Sequence, residues 1–229
     1  MRIKAYQKLT LLDFPGKIAC TVFTAGCNLR CPFCHNALLV TEIDEYYADE
    51  QEFFSFLQTR KGRLDGVAIT GGEPLMQKDI GEFIAKIKAM GFLVKLDSNG
   101  TFPDKLYDLL HSGNVDYVAM DVKNSPEKYA LTTNTPDLDI GAIKKSIKII
   151  MESGVDYEFR TTVTHEDFSE DDFHKIGEMI KGAKRYFLQA FKDSGNLIRE
   201  GNTAESKEKM ERYLSICKNY VDFCAIRGI

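Results

Sequence analysis

Short β-branched and aromatic runs alternate along the chain with longer stretches whose apolar residues recur every three or four positions. The runs Lys17–Thr24, Gly66–Thr70, Phe92–Asp97, Val115–Val122, Asp156–Val163 and Arg185–Ala190 read as strands, each followed by a helical pattern, which predicts six β/α units. Asp79 precedes the stripe Ile80, Phe83, Ile84, Ile87, and Gly91 stands where a left-handed helix cap is expected. Ser169 with Asp172 resembles a capping box ahead of Phe173, Ile176, Met179 and Ile180. Ile140, Ile143, Ile147, Ile150 and Met151 predict another helix, and Met210, Tyr213, Leu214 and Cys217 a last one, followed by a strand-like run, Val221–Arg227.

Repeated strand–helix units imply parallel strands with right-handed crossovers, in an open doubly wound sheet or a complete or partial β/α barrel. A parallel strand covered by helices is apolar on both faces. Three strands here are polar on one face: Lys95, Asp97 and Asn99 oppose Val94 and Leu96, Asp121 and Lys123 oppose Val118, Met120 and Val122, and Glu158, Arg160 and Thr162 oppose Tyr157, Phe159 and Val163. Buried charge without partners is costly, so these faces fit a polar barrel lumen better than a position under helices. Surface ion pairs at fraying strand ends are the alternative.

The chain has 229 residues, 44% hydrophobic and 28% charged, with six Pro and no internal repeat or linker; this predicts one folded domain over 1–229. Thirty Lys and Arg against 34 Asp and Glu give a net charge of −4, so no global positive field favours nucleic acid or an anionic membrane. No apolar run approaches the roughly 18 residues of a membrane span, and the start has no signal-peptide pattern, so the cytoplasm is the expected location.

Six Cys are too few for a disulfide scaffold, and Cys27, Cys31 and Cys34 fall within eight positions as C-x3-C-x2-C, after the first predicted strand. Three thiolates on one loop can hold three corners of an iron–sulfur cube and leave one iron open. A zinc site using the same Cys and His35 is the alternative, although adjacent Cys34 and His35 lack the separated ligand pairs of structural zinc motifs. Thr70-Gly-Gly-Glu-Pro74 ends the second predicted strand, and its glycines permit close approach of backbone to a ligand or simply a tight turn.

In this order and separation the two motifs resemble the radical S-adenosylmethionine (SAM) superfamily. Leu11-Leu-Asp-Phe-Pro-Gly-Lys-Ile18, Phe23-Thr-Ala-Gly-Cys-Asn-Leu-Arg-Cys-Pro-Phe-Cys-His-Asn36, Asp97-Ser-Asn-Gly100 and Asp121-Val-Lys123 look like the glycyl-radical-enzyme activating enzymes. They are most similar to the longer form of the anaerobic ribonucleotide reductase activating group, related to the pyruvate formate-lyase activating enzyme. Matches extend to Ile226-Arg-Gly228.

The resemblance implies an α/β fold, a partial (β/α)6 TIM-like barrel of the radical SAM type. It implies a 4Fe-4S cluster on Cys27, Cys31 and Cys34, with SAM chelating the open iron. Phe33 would pack near the adenine, Gly71, Gly72 and Glu73 would contact the SAM amino group, and Asp97, Ser98, Asp121 and Lys123 would lie near its carboxylate and ribose. Arg160 would orient it, and Gln189 could face the same cavity. A monovalent cation beside the SAM carboxylate is a further candidate. The implied reaction is reductive SAM cleavage to a 5′-deoxyadenosyl radical that takes a glycine Cα hydrogen from a partner, an anaerobic (class III) ribonucleotide reductase, with a flavodoxin or ferredoxin as electron donor. No side chain is assigned as a catalytic acid or base. A small-molecule substrate, or a non-catalytic metal-binding role, are the rival readings.

Ser98 stands where related activating enzymes often have Thr, and no Cys lies between Asn36 and Asp65, which argues against inserted ferredoxin-like clusters. Cys20, Cys217 and Cys224 read as buried small hydrophobes, His111, His165 and His174 as capping or solvent-facing residues, and Glu205–Arg212 as the wet face of the last helix.

Overall fold

A computed structural model describes residues 1–41 and 48–228. These residues hold one eight-stranded sheet in sequential order: β1 (Ile3–Thr10), β2 (Ala19–Thr24), β3 (Gly66–Gly71), β4 (Leu93–Ser98), β5 (Tyr117–Asp121), β6 (Asp156–Val163), β7 (Tyr186–Ala190) and β8 (Cys224–Arg227). β1 runs antiparallel to β2, and every later neighbour pair is parallel. β1 and β8 do not pair with each other, so the sheet is an unclosed barrel.

The crossovers include α1 (Ala37–Thr41), α2 (Glu50–Gln58), α3 (Ile80–Ala89), α4 (Pro103–His111), α5 (Tyr129–Thr132), α6 (Ile140–Glu152), α7 (Glu170–Met179) and α8 (Lys207–Cys217). Their punctuation follows the sequence. Gly91 follows α3 with φ +91°, and the Asp172 carboxylate accepts the Ser169 backbone N–H at 2.8 Å at the start of α7. The apolar strand faces, including Val67, Ile69, Val94, Leu96, Val118, Met120 and Phe159, merge with the helix stripes into one continuous core reaching from Ile3 to Cys224. Cys20, Cys217 and Cys224 are all buried in that core. No helix among the described residues is long and apolar enough to cross a membrane.

The opposite strand faces line the lumen. At its lower end Phe14, brought back under the sheet by the β1–β2 turn, packs with Ala19, Tyr117 and Ala119. Burying a phenylalanine ring there contributes about 1.5–3 kcal/mol and seals the end of the barrel remote from the Cys loop. Above this plug, the Glu158 carboxylate accepts two hydrogen bonds from the Arg227 guanidinium at 2.8 and 2.9 Å and one from the Tyr117 hydroxyl at 2.9 Å.

Only β6 keeps its expected bounds; β3, β4 and β7 shift by a single residue, and three strands are shorter than expected by two residues or more. β2 begins at Ala19 because Lys17 and Ile18 still belong to the turn, β5 is confined to Tyr117–Asp121, and β8 begins only at Cys224. β1 was not anticipated at all. Glu205 corrects the reading of Glu205–Arg212 as a wet helix face: it precedes α8, is buried, and accepts hydrogen bonds from Ser206 N (2.7 Å) and Lys209 Nζ (3.3 Å).

Candidate active site

The upper ends of the parallel strands and the loops that leave them enclose a cavity of about 210 Å³. Every residue nominated from the sequence lines it: Cys27, Cys31, Cys34 and Phe33 from the loop after β2, Gly71, Gly72 and Glu73 from the end of β3 and the turn that follows, Asp97 and Ser98 from β4, Asp121 from β5 and Lys123 from the loop just after it, Arg160 from β6 and Gln189 from β7.

The Cys loop is locked to β3 through backbone. Gly72 N donates to Thr24 O (2.9 Å) and Glu73 N to Gly26 O (2.8 Å), and the Gln77 amide donates to Ala25 O (2.8 Å). Gly71 has φ +125°, and a Cβ on Gly71 or Gly72 would collide with the backbone of Thr24 or of Gly26 respectively. The adjacent glycines therefore serve first to bring the β3 end against the start of the Cys loop.

Glu73 is fully buried, yet its carboxylate has three donors: Leu75 N at 3.0 Å, Ser98 Oγ at 3.1 Å and Asn99 N at 2.6 Å. Burial pushes this carboxyl up to about 7 against the pull of those donors. Its side chain thus ties the β3 turn to the β4 turn, and the Ser98 hydroxyl is spent on the same bond.

Across the lumen runs a row of alternating charges, Lys95, Asp97, Arg160, Asp121 and Lys123. Lys95 pairs with Asp97, Arg160 reaches Asp97 at 3.3 Å and Asp121 at 2.9 Å, and Lys123 reaches Asp121 at 3.1 Å. Burial alone would raise both carboxyls, but Arg160 first, then Lys95 at Asp97 and Lys123 at Asp121, holds them below their ordinary range. Three cations against two carboxylates leave the row with one positive charge in excess, and it ends at Lys123 beside the Cys loop.

Burial pushes the Cys27 thiol up to about 11 and that of Cys31 up to about 12. A metal binding here must therefore displace the thiol protons. Among the described residues no group of three or more His, Cys, Asp or Glu side chains is already drawn together around a point that could hold a single metal ion. Leu29, Cys31, Phe33 and Phe191 form an apolar wall, with His35 stacked on Phe191 at 5.7 Å. Soft sulfur donors beside an apolar wall and a charged floor suit a multi-iron cluster with an amphipathic ligand.

Asn99 and Ile198 are among the lining residues that escaped nomination. Asn99 was visible only as part of a polar strand face, and its proximity to Cys27 had no sequence signal. Ile198 sits in the aperiodic segment after β7, whose Arg199 N–H donates to Pro32 O at 3.1 Å. The remaining histidines have local tasks: His111 Nδ1 lies 2.9 Å from Tyr107 O, His165 Nδ1 3.2 Å from Glu205 and His174 Nδ1 3.0 Å from the Tyr220 hydroxyl.

Comparison with known proteins gives a consistent setting. Residues 21–180 match the family model described as the Radical SAM superfamily. A Methanocaldococcus jannaschii protein named as a glycyl-radical enzyme activating enzyme is 31% identical over 96% of this chain and 93% of its own length. The pyruvate formate-lyase-activating enzyme of Listeria monocytogenes is 34% identical over 60% of this chain and 61% of its own. Among solved structures, Streptococcus suis SuiB bound to S-adenosylmethionine superposes with a TM-score of 0.66 at 15% identity, over 89% of this chain and 48% of that one, a likeness of fold.

Proposed function

The chain belongs to the radical SAM superfamily, and from that premise we propose that it is a glycyl-radical-enzyme activating enzyme whose partner is an anaerobic (class III) ribonucleotide reductase. Its cofactors are a 4Fe-4S cluster and SAM. The observation that carries the reading is the convergence of three loop cysteines, the Gly-Gly-Glu turn and the charged row on one cavity, in a chain similar over nearly its whole length to a protein named as such an activating enzyme.

Cys27, Cys31 and Cys34 would hold three irons, leaving the fourth for SAM. When bound, these groups supply a one-electron cleavage that yields methionine and a 5′-deoxyadenosyl radical, the species that takes a glycine Cα hydrogen. The protein's part is placement. The backbone around Gly71 and Gly72 fixes the Cys loop against the sheet, and the excess positive charge of the lumen row at Lys123 favours a carboxylate. Asp97 and Asp121 keep Arg160 in one orientation. Phe33, Leu29 and Phe191 exclude water from the adjoining wall, which protects a reactive carbon radical. The unclosed sheet admits a partner's loop from the side. A flavodoxin or ferredoxin is the proposed electron donor, and the cytoplasm the proposed location.

The test is anaerobic reconstitution and reduction, addition of SAM and a class III ribonucleotide reductase, and parallel EPR and 5′-deoxyadenosine assays. A glycyl radical on the reductase appearing with 5′-deoxyadenosine is the expected result. 5′-Deoxyadenosine without that signal would send the radical to another protein or a small molecule. Absence of both in cluster-replete protein would overturn the enzymatic reading.

A further inference from the structure

Asn99 is buried in the turn after β4, held at both its backbone and its side chain. Its N–H donates to Glu73 Oε2 at 2.6 Å. Its side-chain oxygen accepts from Thr101 N (3.0 Å) and Thr101 Oγ1 (2.7 Å), so the amide orientation is dictated by two donors. The amide nitrogen therefore faces the other way, 2.9 Å from Asn28 Oδ1 and 3.7 Å from Cys27 Sγ. Asn28 Nδ2 closes the ring by donating to Thr101 Oγ1 at 2.9 Å. Cys27 Sγ also accepts from Leu29 N at 3.4 Å. Among the described residues no side-chain donor reaches the sulfur of Cys31 or Cys34.

We infer that Asn99 is a positioning residue that sets the reduction potential of the cluster by directing an amide N–H at the Cys27 sulfur. The inference rests on Cys27 being a cluster ligand. A donor at a ligand sulfur stabilises the extra negative charge of the reduced cluster more than it stabilises the oxidised one, so it raises the potential. Glu73 acts one step further out: it grips the Asn99 backbone and leaves the side chain to Cys27 and its neighbours.

The experiment is an EPR-monitored redox titration of the reconstituted full-length protein, without SAM or partner, with iron and sulfide determined on each sample. Asn99→Asp keeps the acceptor for both Thr101 donors and so keeps the turn, but replaces the donor with a negative charge. Asn99→Leu removes the donor without adding charge, together with the acceptor for Thr101. Both should retain the cluster and titrate at more negative potential, with the reduced-to-oxidised ratio at the wild-type midpoint lowered about threefold to tenfold, the factor one ordinary hydrogen bond sustains. Asn28→Ala, which spares the bond to sulfur, should titrate with the wild type. Unchanged midpoints in cluster-replete Asn99 variants would overturn the inference, as would an equal shift in Asn28→Ala or loss of the cluster in both Asn99 variants. Failure of the wild type to bind a cluster would instead overturn the ligand assignment of Cys27.

Discussion

Gly72 lies against the Gly26 carbonyl so closely that any side chain on Gly72 would overlap it. The contact is backbone to backbone, so no rotamer change relieves it. Gly72→Ala is expected to push the Cys loop off β3, to cost about 1–3 kcal/mol, and to lower the iron and sulfide retained after reconstitution. Gly81 in α3 is the contrast, since a Cβ there meets only a Leu109 methyl at 3.6 Å. Gly81→Ala should stabilise by about 0.5–1 kcal/mol. Thermal melts of the two apo variants check both signs.

Arg160→Gln leaves Asp97 and Asp121 without their shared guanidinium. Breaking a buried charge pair on one side costs about 3–5 kcal/mol. The pH dependence should also change sign. In the wild type these carboxyls titrate below their unfolded values, so their contribution is present above about pH 4 and fades as pH falls. In the variant at least one is expected to titrate above its unfolded value, and lowering the pH from 7 to 5 should recover stability. Urea unfolding of variant and wild type at the two pH values measures this, since the raised Glu73 carboxyl contributes equally to both, and a stability gap that fails to narrow at pH 5 would contradict it.

Asp172 offers a pH effect remote from the cavity. Burial would raise its carboxyl, but Lys128, Ser169 and Ser125 hold it below its unfolded value of 3.8. Its contribution is therefore complete above about pH 4 and is lost as pH falls through the folded value. Asp172→Ala strands the Ser125 hydroxyl and the Ser169 N–H and should cost about 1–3 kcal/mol at pH 7. The gap between variant and wild type should narrow in unfolding curves taken toward pH 2.

Two cysteines separate the cavity from the core. Cys31→Ala should fold at a cost on the order of 1 kcal/mol, as for any buried small hydrophobe, but should abolish the iron-dependent visible absorption and SAM cleavage. Cys217→Ala should cost on the order of 1 kcal/mol through a small cavity in the core and leave cleavage near wild type. Cleavage retained by Cys31→Ala would remove that residue from the ligand set.

Much of the sheet is legible because its strands carry a periodicity that buried positions enforce. Val94 and Leu96 must face helices while Lys95 and Asp97 face the lumen, and the chain records both demands. β1 is illegible for the converse reason: only its two end residues, Ile3 and Thr10, are buried, and its pairing with β2 is interrupted twice, so no clean alternation is required of it. The site motifs are local in sequence and can be read. Their mutual bonds are not, because Glu73 to Asn99, Asn99 to Cys27 and Arg227 to Glu158 join residues 26, 72 and 69 positions apart. Glu205 misled in part for a similar reason, since it precedes α8 and meets His165, 40 positions away.

The unpaired strands β1 and β8 also bear on how the molecule behaves among its own copies. A free strand edge is a template for intermolecular pairing. Here β8 is only four residues long, while β1 has register irregularities, carries Lys4 and Lys8, and has Ile3 O already bonded to Ala48 N at 2.8 Å. Neither side presents a long regular ladder. The gap proposed to admit a partner is thereby kept from recruiting a neighbouring sheet, and a change that regularised β1 or lengthened β8 would turn the same gap into a nucleus for aggregation.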